Sequence, residues 1–210
     1  MAFTGKIIGY DPGGNGKHGV ASLLVSDGRP IKLSFSTVHN AQASLDWFIF
    51  GEIPVAAGID TLTVLSTGDG GWRPADVWLR GHYPQVRNSV VNPNYLQGAM
   101  SLNGLAVMSS LRSLSESILI SETHPKVLYY HLTGKPHNYR INRELMNEQL
   151  SQWFNLSINT GTDHEWDAAL SCFAVYKGIS RRWTKDLHQL PSIANEELVH
   201  LGMPSHFYWP

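Results

Sequence analysis

Four carboxylates stand at the ends of apolar runs: Asp11 in IIGYDPGG, Asp60 in VAAGIDTL, Glu122 in ILISETHP and Asp167 in DHEWDAAL. The first three runs read as strands that deliver an acid at their C-terminal ends; the fourth is helical in pattern. Carboxylate oxygens are the ligands that Mg²⁺ and Mn²⁺ prefer, and paired ions of this kind drive phosphodiester hydrolysis. Asp163 precedes Asp167 by one helical turn on the same face and joins the set. The candidate metal ligands are therefore Asp11, Asp60, Glu122, Asp163 and Asp167, holding Mg²⁺ or Mn²⁺, two ions in the full arrangement. Plainer roles exist for each. Asp11 equally starts an Asp-Pro-Gly turn, and acids in a first helical turn are favoured by the helix dipole. Asp167, flanked by Trp166 and Ala168, is expected to face the sheet edge, where an unpaired carboxylate is costly without a cation.

Other residues surround these acids. His124 follows Glu122 by two positions and is a candidate acid/base group, or else a helix-start residue before Pro125. His164 suits a phosphate contact or a proton shuttle, or is simply solvated. Lys17, Arg73 and Arg80 are the candidate phosphate contacts, the arginines for their guanidinium fork; Asp76 and Arg80, at i and i+4, equally suit a helical ion pair. The spacing Gly14-x-Gly16-x-x-Gly19 imitates a dinucleotide fingerprint, but a β-type run, VASLLV, follows where a helix is required. A P-loop fails because His18 stands where Ser or Thr is needed. The single Cys172 excludes a disulfide framework and a cysteine zinc cluster, and its apolar neighbours mark it as a buried thiol.

The elements that must position the acids follow from periodicity. Lys6 to Tyr10 and Val20 to Val25 read as strands, and Ser26-Asp27-Gly28 as a hairpin turn. Ile31, Leu33 and Phe35 alternate with polar residues, giving a third strand with one buried face. A helix is expected over 41–50, a doubly buried strand over 54–59, and a polar loop over 65–73. Further helices are expected over 74–80 and over 93–114, where Pro93 lies near the start and Leu96, Met100, Leu105, Met108 and Leu111 line one face. A strand over 117–120 follows, then helices over 125–132, 142–154 and 163–177, the last closed by Gly178. Hairpin strands followed by alternating helices and strands make a mixed sheet, whose ligands collect at the C-terminal ends of the parallel strands. Residues 1–182 form the expected domain, with 183–210 wrapping it.

Composition is that of a globular protein: 210 residues, 42% apolar, 16% charged, formal net charge −1. No general basic field exists, so a nucleic-acid partner must be met by local Lys and Arg. No leader-like or membrane-spanning run is evident, and the expected compartment is the cytoplasm.

Taken together, IIGYDPGG, AGIDTLTVL, WRPADVWLR, ISETHPKVLYYHLTG and DHEWDAALSCFAVYKG, spread over residues 6–178, resemble the RNase H-like superfamily, and within it the family of predicted RNase H-like nucleases. GYDPG also resembles the first strand of RuvC-type resolvases. The resemblance implies an α/β fold, a five-stranded mixed β-sheet flanked by helices, with Asp11, Asp60, Glu122 and Asp167 at acidic metal-site positions and Asp163 as an extra acid. Two departures stand out: resolvases usually carry Glu where Asp60 stands, and His164 and Glu165 interrupt the paired acids expected before the last helix. The leading expectation is a metal-dependent nuclease acting on nucleic acid. The alternative is a catalytically silent RNase H-fold protein that binds a nucleotide, another phosphate ligand or a protein partner.

Overall fold

The computed structural model describes residues 3–14, 16–91, 98–191, 198–200 and 202–210, with Asp69 and Ala99 described by backbone alone. In chain order the elements are β1 (Gly5–Asp11), β2 (His18–Ser26), β3 (Arg29–Val38), α1 (Ala41–Ile49), β4 (Ala56–Ile59), β5 (Val64–Ser66), α2 (Pro74–His82), α3 (Ala99–Leu114), β6 (Leu119–Glu122), α4 (Pro125–Thr133), α5 (Tyr139–Phe154), α6 (Asp163–Ile179), β7 (Lys185–Asp186), β8 (Leu198–His200) and β9 (Tyr208–Trp209). The hairpin between β2 and β3 turns on Asp27 and Gly28, both with left-handed φ (49° and 73°), as the right-handed twist of a tight hairpin requires.

The central sheet runs β3-β2-β1-β4-β6. β1, β2 and β3 pair antiparallel, whereas β1–β4 and β4–β6 pair parallel. This is the five-stranded mixed sheet, with helices on both faces, that the RNase H-like resemblance implies. Side chains alternate across it. Ile7 and Ala56 face one core layer with α4, α5 and α6. Ile8, Tyr10, Ala57, Ile59 and Ile120 face the other, with Phe48 of α1 and Val107, Met108 and Leu111 of α3.

α6 lies unusually close to the sheet because three strand positions carry no side chain. A Cβ on Gly9 would come within 1.9 Å of the Ala168 carbonyl oxygen, one on Gly19 within 1.9 Å of that of His164, and one on Gly58 within 2.4 Å of that of Ser171. Gly9 and Gly58 are register partners on β1 and β4, so the contact crosses the middle of the sheet. The helix begins at a capping box, with Thr162 accepting from the Glu165 amide and Glu165 returning to the Thr162 amide, a device worth about 1 kcal/mol.

Several boundaries differ from the sequence-based expectation, each for a tertiary reason. α6 runs through Gly178 to Ile179 instead of stopping there, because that glycine makes room for the Tyr208 ring, 2.2 Å from where a Cβ would stand. α5 starts at Tyr139, three residues early, with Asn142 off helical geometry inside it. The start of the 65–73 stretch belongs to β5, which pairs antiparallel with β8. Ile31 is 55% exposed because β3 is an edge strand, so only Leu33 and Phe35 of the alternating trio pack on the core. For the 93–114 helix, α3 covers Ala99–Leu114; Pro93 and Leu96 lie outside the described residues.

Beyond residue 182, described residues reach the same core. β7 pairs with β9, and Leu187, Phe207 and Trp209 join the layer built on α6. The His206 amide donates to the Ile120 carbonyl at 2.9 Å, and the Glu122 amide to the His206 carbonyl at 2.7 Å. The tail thereby covers the β6 edge, which would otherwise present unpaired backbone groups. Among the described residues no helix is long and apolar enough to cross a membrane.

Candidate metal centre

Asp11 ends β1, Asp60 follows β4, and Asp167 stands in the second turn of α6. The Asp60 amide donates to the Tyr10 carbonyl at 2.9 Å, continuing the parallel ladder one residue past β4. Asp11 and Asp60 therefore emerge side by side on the face that α6 covers, and the close helix–sheet contact lowers Asp167 onto them. One oxygen from each of the three carboxylates lies within 4.8 Å of the others. Asp11 and Asp167 are 5% exposed, and Asp60 keeps partial access to solvent.

The electrostatics follow from that crowding. Burial, with the Asp167 charge adding to it, pushes the Asp11 carboxyl up to about 6 despite the opposing hydrogen bond from His164. Asp60 is raised well above the ordinary carboxylate range by burial and then by Asp11 and Asp167. Like charges this close cannot all ionise without a counter-charge. Lys126, in the first turn of α4, supplies part of one, lowering both Asp11 and Asp60. His164 supplies another: its Nδ1 lies 2.6 Å from Asp11 Oδ2, and that hydrogen bond raises the imidazole. His137, from the turn between α4 and α5, places Nε2 at 2.9 Å from Asp167 Oδ1.

This donor set fits a divalent cation. All three groups are oxygen ligands of the hard type, their charges repel in its absence, and Asp167 Oδ1 is buried without a hydrogen-bond partner. Asp11, Asp60 and Asp167 are the residues that would hold it.

Glu122 is not in this cluster, and the reason is register. It pairs with Ile59, whereas Thr123 donates to the Ile59 carbonyl and occupies the position beside Asp60. A one-residue offset turns a strand side chain to the opposite face. There Glu122 accepts Arg73 Nη1 at 2.7 Å and Nη2 at 2.6 Å, the Thr63 amide at 2.9 Å and the Thr63 hydroxyl at 3.2 Å. Burial opposes its charge, but Arg73 and His188 hold the carboxyl well below its usual range. Three of these hydrogen bonds converge on Oε2 and one on Oε1, so the carboxylate is oriented by Arg73 and Thr63, away from the three aspartates.

Arg73 belongs to the same buried network. The side chain is 2% exposed, and besides Glu122 it donates to Asp76 and to the Val64 carbonyl. It braces β5, α2 and β6, and its guanidinium is held by protein partners at the wall of the cleft that Asp60 and Lys126 also line. Asp76 thus pairs with Arg73 and not with Arg80, whose Nη1 instead donates to the carbonyls of Arg87 and Val90, each at 2.9 Å. Arg80 also stacks on Trp72, 4.7 Å from the ring centroid. Its Nη1 is thus tied to the segment after α2. Lys17 stands exposed in the β1–β2 turn, six residues past Asp11.

Asp163 points outward, its side chain 60% exposed, with Oδ1 3.9 Å from His164 Nε2. His124 caps α4; its Nε2 lies 3.0 Å from the Ser89 carbonyl, and burial lowers its pKa. It lines a cleft of about 180 Å³ with Asp60, Met100, Arg73, Glu122 and Lys126, and so borders the site. His137 and Lys126 were not singled out from sequence. Lys126 carried a usable signal, since it lies four residues beyond Glu122, in the first turn of the helix expected to start at Pro125. His137 carried none: it sits in a turn thirty residues from Asp167 in sequence.

No family model matches the chain, and no curated protein matches it. Among solved structures the chain is similar to Thermus thermophilus RuvC, at 12% identity over 83% of this chain and 95% of that one, with a TM-score of 0.40. It is also similar to T. thermophilus RuvC in complex with a Holliday junction substrate, at 11% identity over 82% and 93%, with a TM-score of 0.38.

Proposed function

We propose that this protein is a metal-dependent nuclease that hydrolyses phosphodiester bonds of nucleic acid, with Asp11, Asp60 and Asp167 holding Mg²⁺ or Mn²⁺. The observation that carries the reading is the meeting of three carboxylates at the C-terminal ends of two parallel strands, with a buried Asp167 oxygen left without a hydrogen-bond partner. Bound ions of this class activate a water and stabilise the leaving oxygen. The chain's own residues do the rest. Asp11 is held in orientation by His164, whose ring remains 29% exposed and so can meet substrate. His164 is the group suited to move a proton beside Asp11, in preference to His124, whose Nε2 faces the Ser89 carbonyl. Lys126, whose charge acts on Asp11 and Asp60, is the cation suited to meet phosphate near the acids, with Lys17, exposed in the β1–β2 turn, as a further candidate, and Asp163 adds negative charge at the outer rim.

The test is a cleavage assay on single-stranded, duplex, hybrid and branched nucleic acids with Mg²⁺ or Mn²⁺. Expected is cleavage of at least one substrate class by the wild type and a loss of orders of magnitude in Asp11→Asn and Asp167→Asn, both of which keep side-chain volume. Cleavage that persists in Asp11→Asn would overturn the mechanism. Inactivity of the wild type on every substrate with either metal would favour the silent phosphate-ligand or partner-binding alternative.

A further inference from the structure

His137 Nε2 and Asp167 Oδ1 lie 2.9 Å apart, yet they do not hydrogen-bond to each other and neither has any other partner. Both side chains are 8% exposed, so water does not relieve them. Two buried lone-pair donors in this state are costly unless a third body satisfies both. The imidazole is not there by slack packing. Its ring meets the edge of Tyr129 at 5.9 Å and that of Trp166 at 5.4 Å between centroids, which fixes its plane against α4 and α6. The separation itself is informative. Two ligand atoms at right angles, each about 2.1 Å from one ion, stand about 3.0 Å apart.

We propose that His137 is a nitrogen ligand to an ion shared with Asp167, which makes Asp167 the bridge between this position and the three-carboxylate position. The proposal rests on the metal-centre reading and extends it, because it assigns the two positions different chemistry. The first is all oxygen and suits Mg²⁺ or Mn²⁺. The second mixes imidazole with carboxylate, a set that favours Mn²⁺ over Mg²⁺. His164 is distinct in kind: its Nδ1 is already hydrogen-bonded to Asp11, whereas the His137 nitrogen is unclaimed.

Electron spin-echo measurement of ¹⁴N coupling to bound Mn²⁺ tests this on the whole chain, with no dependence on turnover. Wild type, His137→Ala and His164→Ala are compared, and Mn²⁺ stoichiometry is read alongside by titration of the free-ion signal. Expected are a ¹⁴N coupling that persists in His164→Ala and vanishes in His137→Ala, and the loss of one class of Mn²⁺ site, or its weakening by about tenfold or more, in His137→Ala alone. A coupling unchanged in His137→Ala, or Mn²⁺ bound with no ¹⁴N coupling in the wild type, overturns the role of His137 and leaves the three-carboxylate centre standing. Failure of the wild type to bind Mn²⁺ at all overturns both. His137→Gln, which retains a polar side chain of similar reach, guards against a folding artefact. It should keep the native circular dichroism and still lack the coupling.

Discussion

Arg73 grips Glu122 through a two-pronged pair, 2.7 and 2.6 Å, between side chains that are almost wholly buried. Breaking such a pair leaves one uncompensated charge in the interior, at a cost of about 3–5 kcal/mol. Arg73→Ala and Glu122→Gln are each expected to lose that much stability by urea denaturation. Arg73→Met combined with Glu122→Gln should recover part of it. If instead Arg73→Ala were as stable as wild type and weakened nucleic-acid binding in a salt-dependent way, Arg73 would be a phosphate contact after all.

Divalent metal should stabilise the fold. The three acids repel one another when ionised, and an ion that binds only the native state raises the melting temperature by mass action. Millimolar Mn²⁺ is expected to raise the wild-type Tm, with a smaller rise in Asp60→Asn. Without metal, Asp60→Asn should melt higher than wild type because it removes one of the mutually repelling charges. A wild-type melt indifferent to Mn²⁺ counts against the site.

Acidity should act in two windows of opposite sign. Asp11 and Asp60 have folded-state pKa values raised above the ordinary 3.8, Asp11 to about 6. The native state therefore binds more protons than the unfolded chain, and the metal-free protein should lose stability as pH rises from about 4 through 6. His164, also raised, adds a loss in the same direction: its stabilisation is complete below the ordinary 6.5 and disappears as pH climbs through its folded value. Glu122 works the other way. Its depressed carboxyl stabilises above the ordinary 4.5 and stops doing so on stronger acidification. Metal-free stability measured against pH should thus peak in mildly acid solution, and Asp11→Asn should flatten the limb between pH 4 and 6. A profile that rises steadily from pH 4 to 7 would contradict the assignment.

Helix position should matter as much as the acids themselves. Gly9→Ala puts a methyl group where the Ala168 carbonyl stands, 1.9 Å away, and neither backbone can yield cheaply. We expect a loss of stability of several kcal/mol, as overpacking of a rigid contact produces, and weaker Mn²⁺ binding because Asp167 is carried off the strands with α6. Ala57→Gly, one register position away on the other face, should lose stability without weakening the metal. Equal metal affinity in Gly9→Ala would show that α6 does not set the site.

The sequence by itself determined the strand ends and the helix that carry Asp11, Asp60 and Asp167. Apolar runs and turn residues are local signals, and they place Asp11 and Asp60 at strand ends and Asp167 near the start of its helix. It also determined the element order, from which the mixed sheet follows. Tertiary structure alone decided which acids meet. Glu122 has the same local context as Asp60, yet a single step of register between β4 and β6 turns it onto the other face, toward Arg73. Register depends on how neighbouring strands align, and no pattern within one strand encodes it. The same holds for His137: a turn far from Asp167 in sequence reaches it only because α4, α5 and α6 pack on one another. Three glycines that look like turn punctuation or weak strand positions are in fact what lets α6 touch the sheet, since what they leave room for is supplied by a segment more than a hundred residues away.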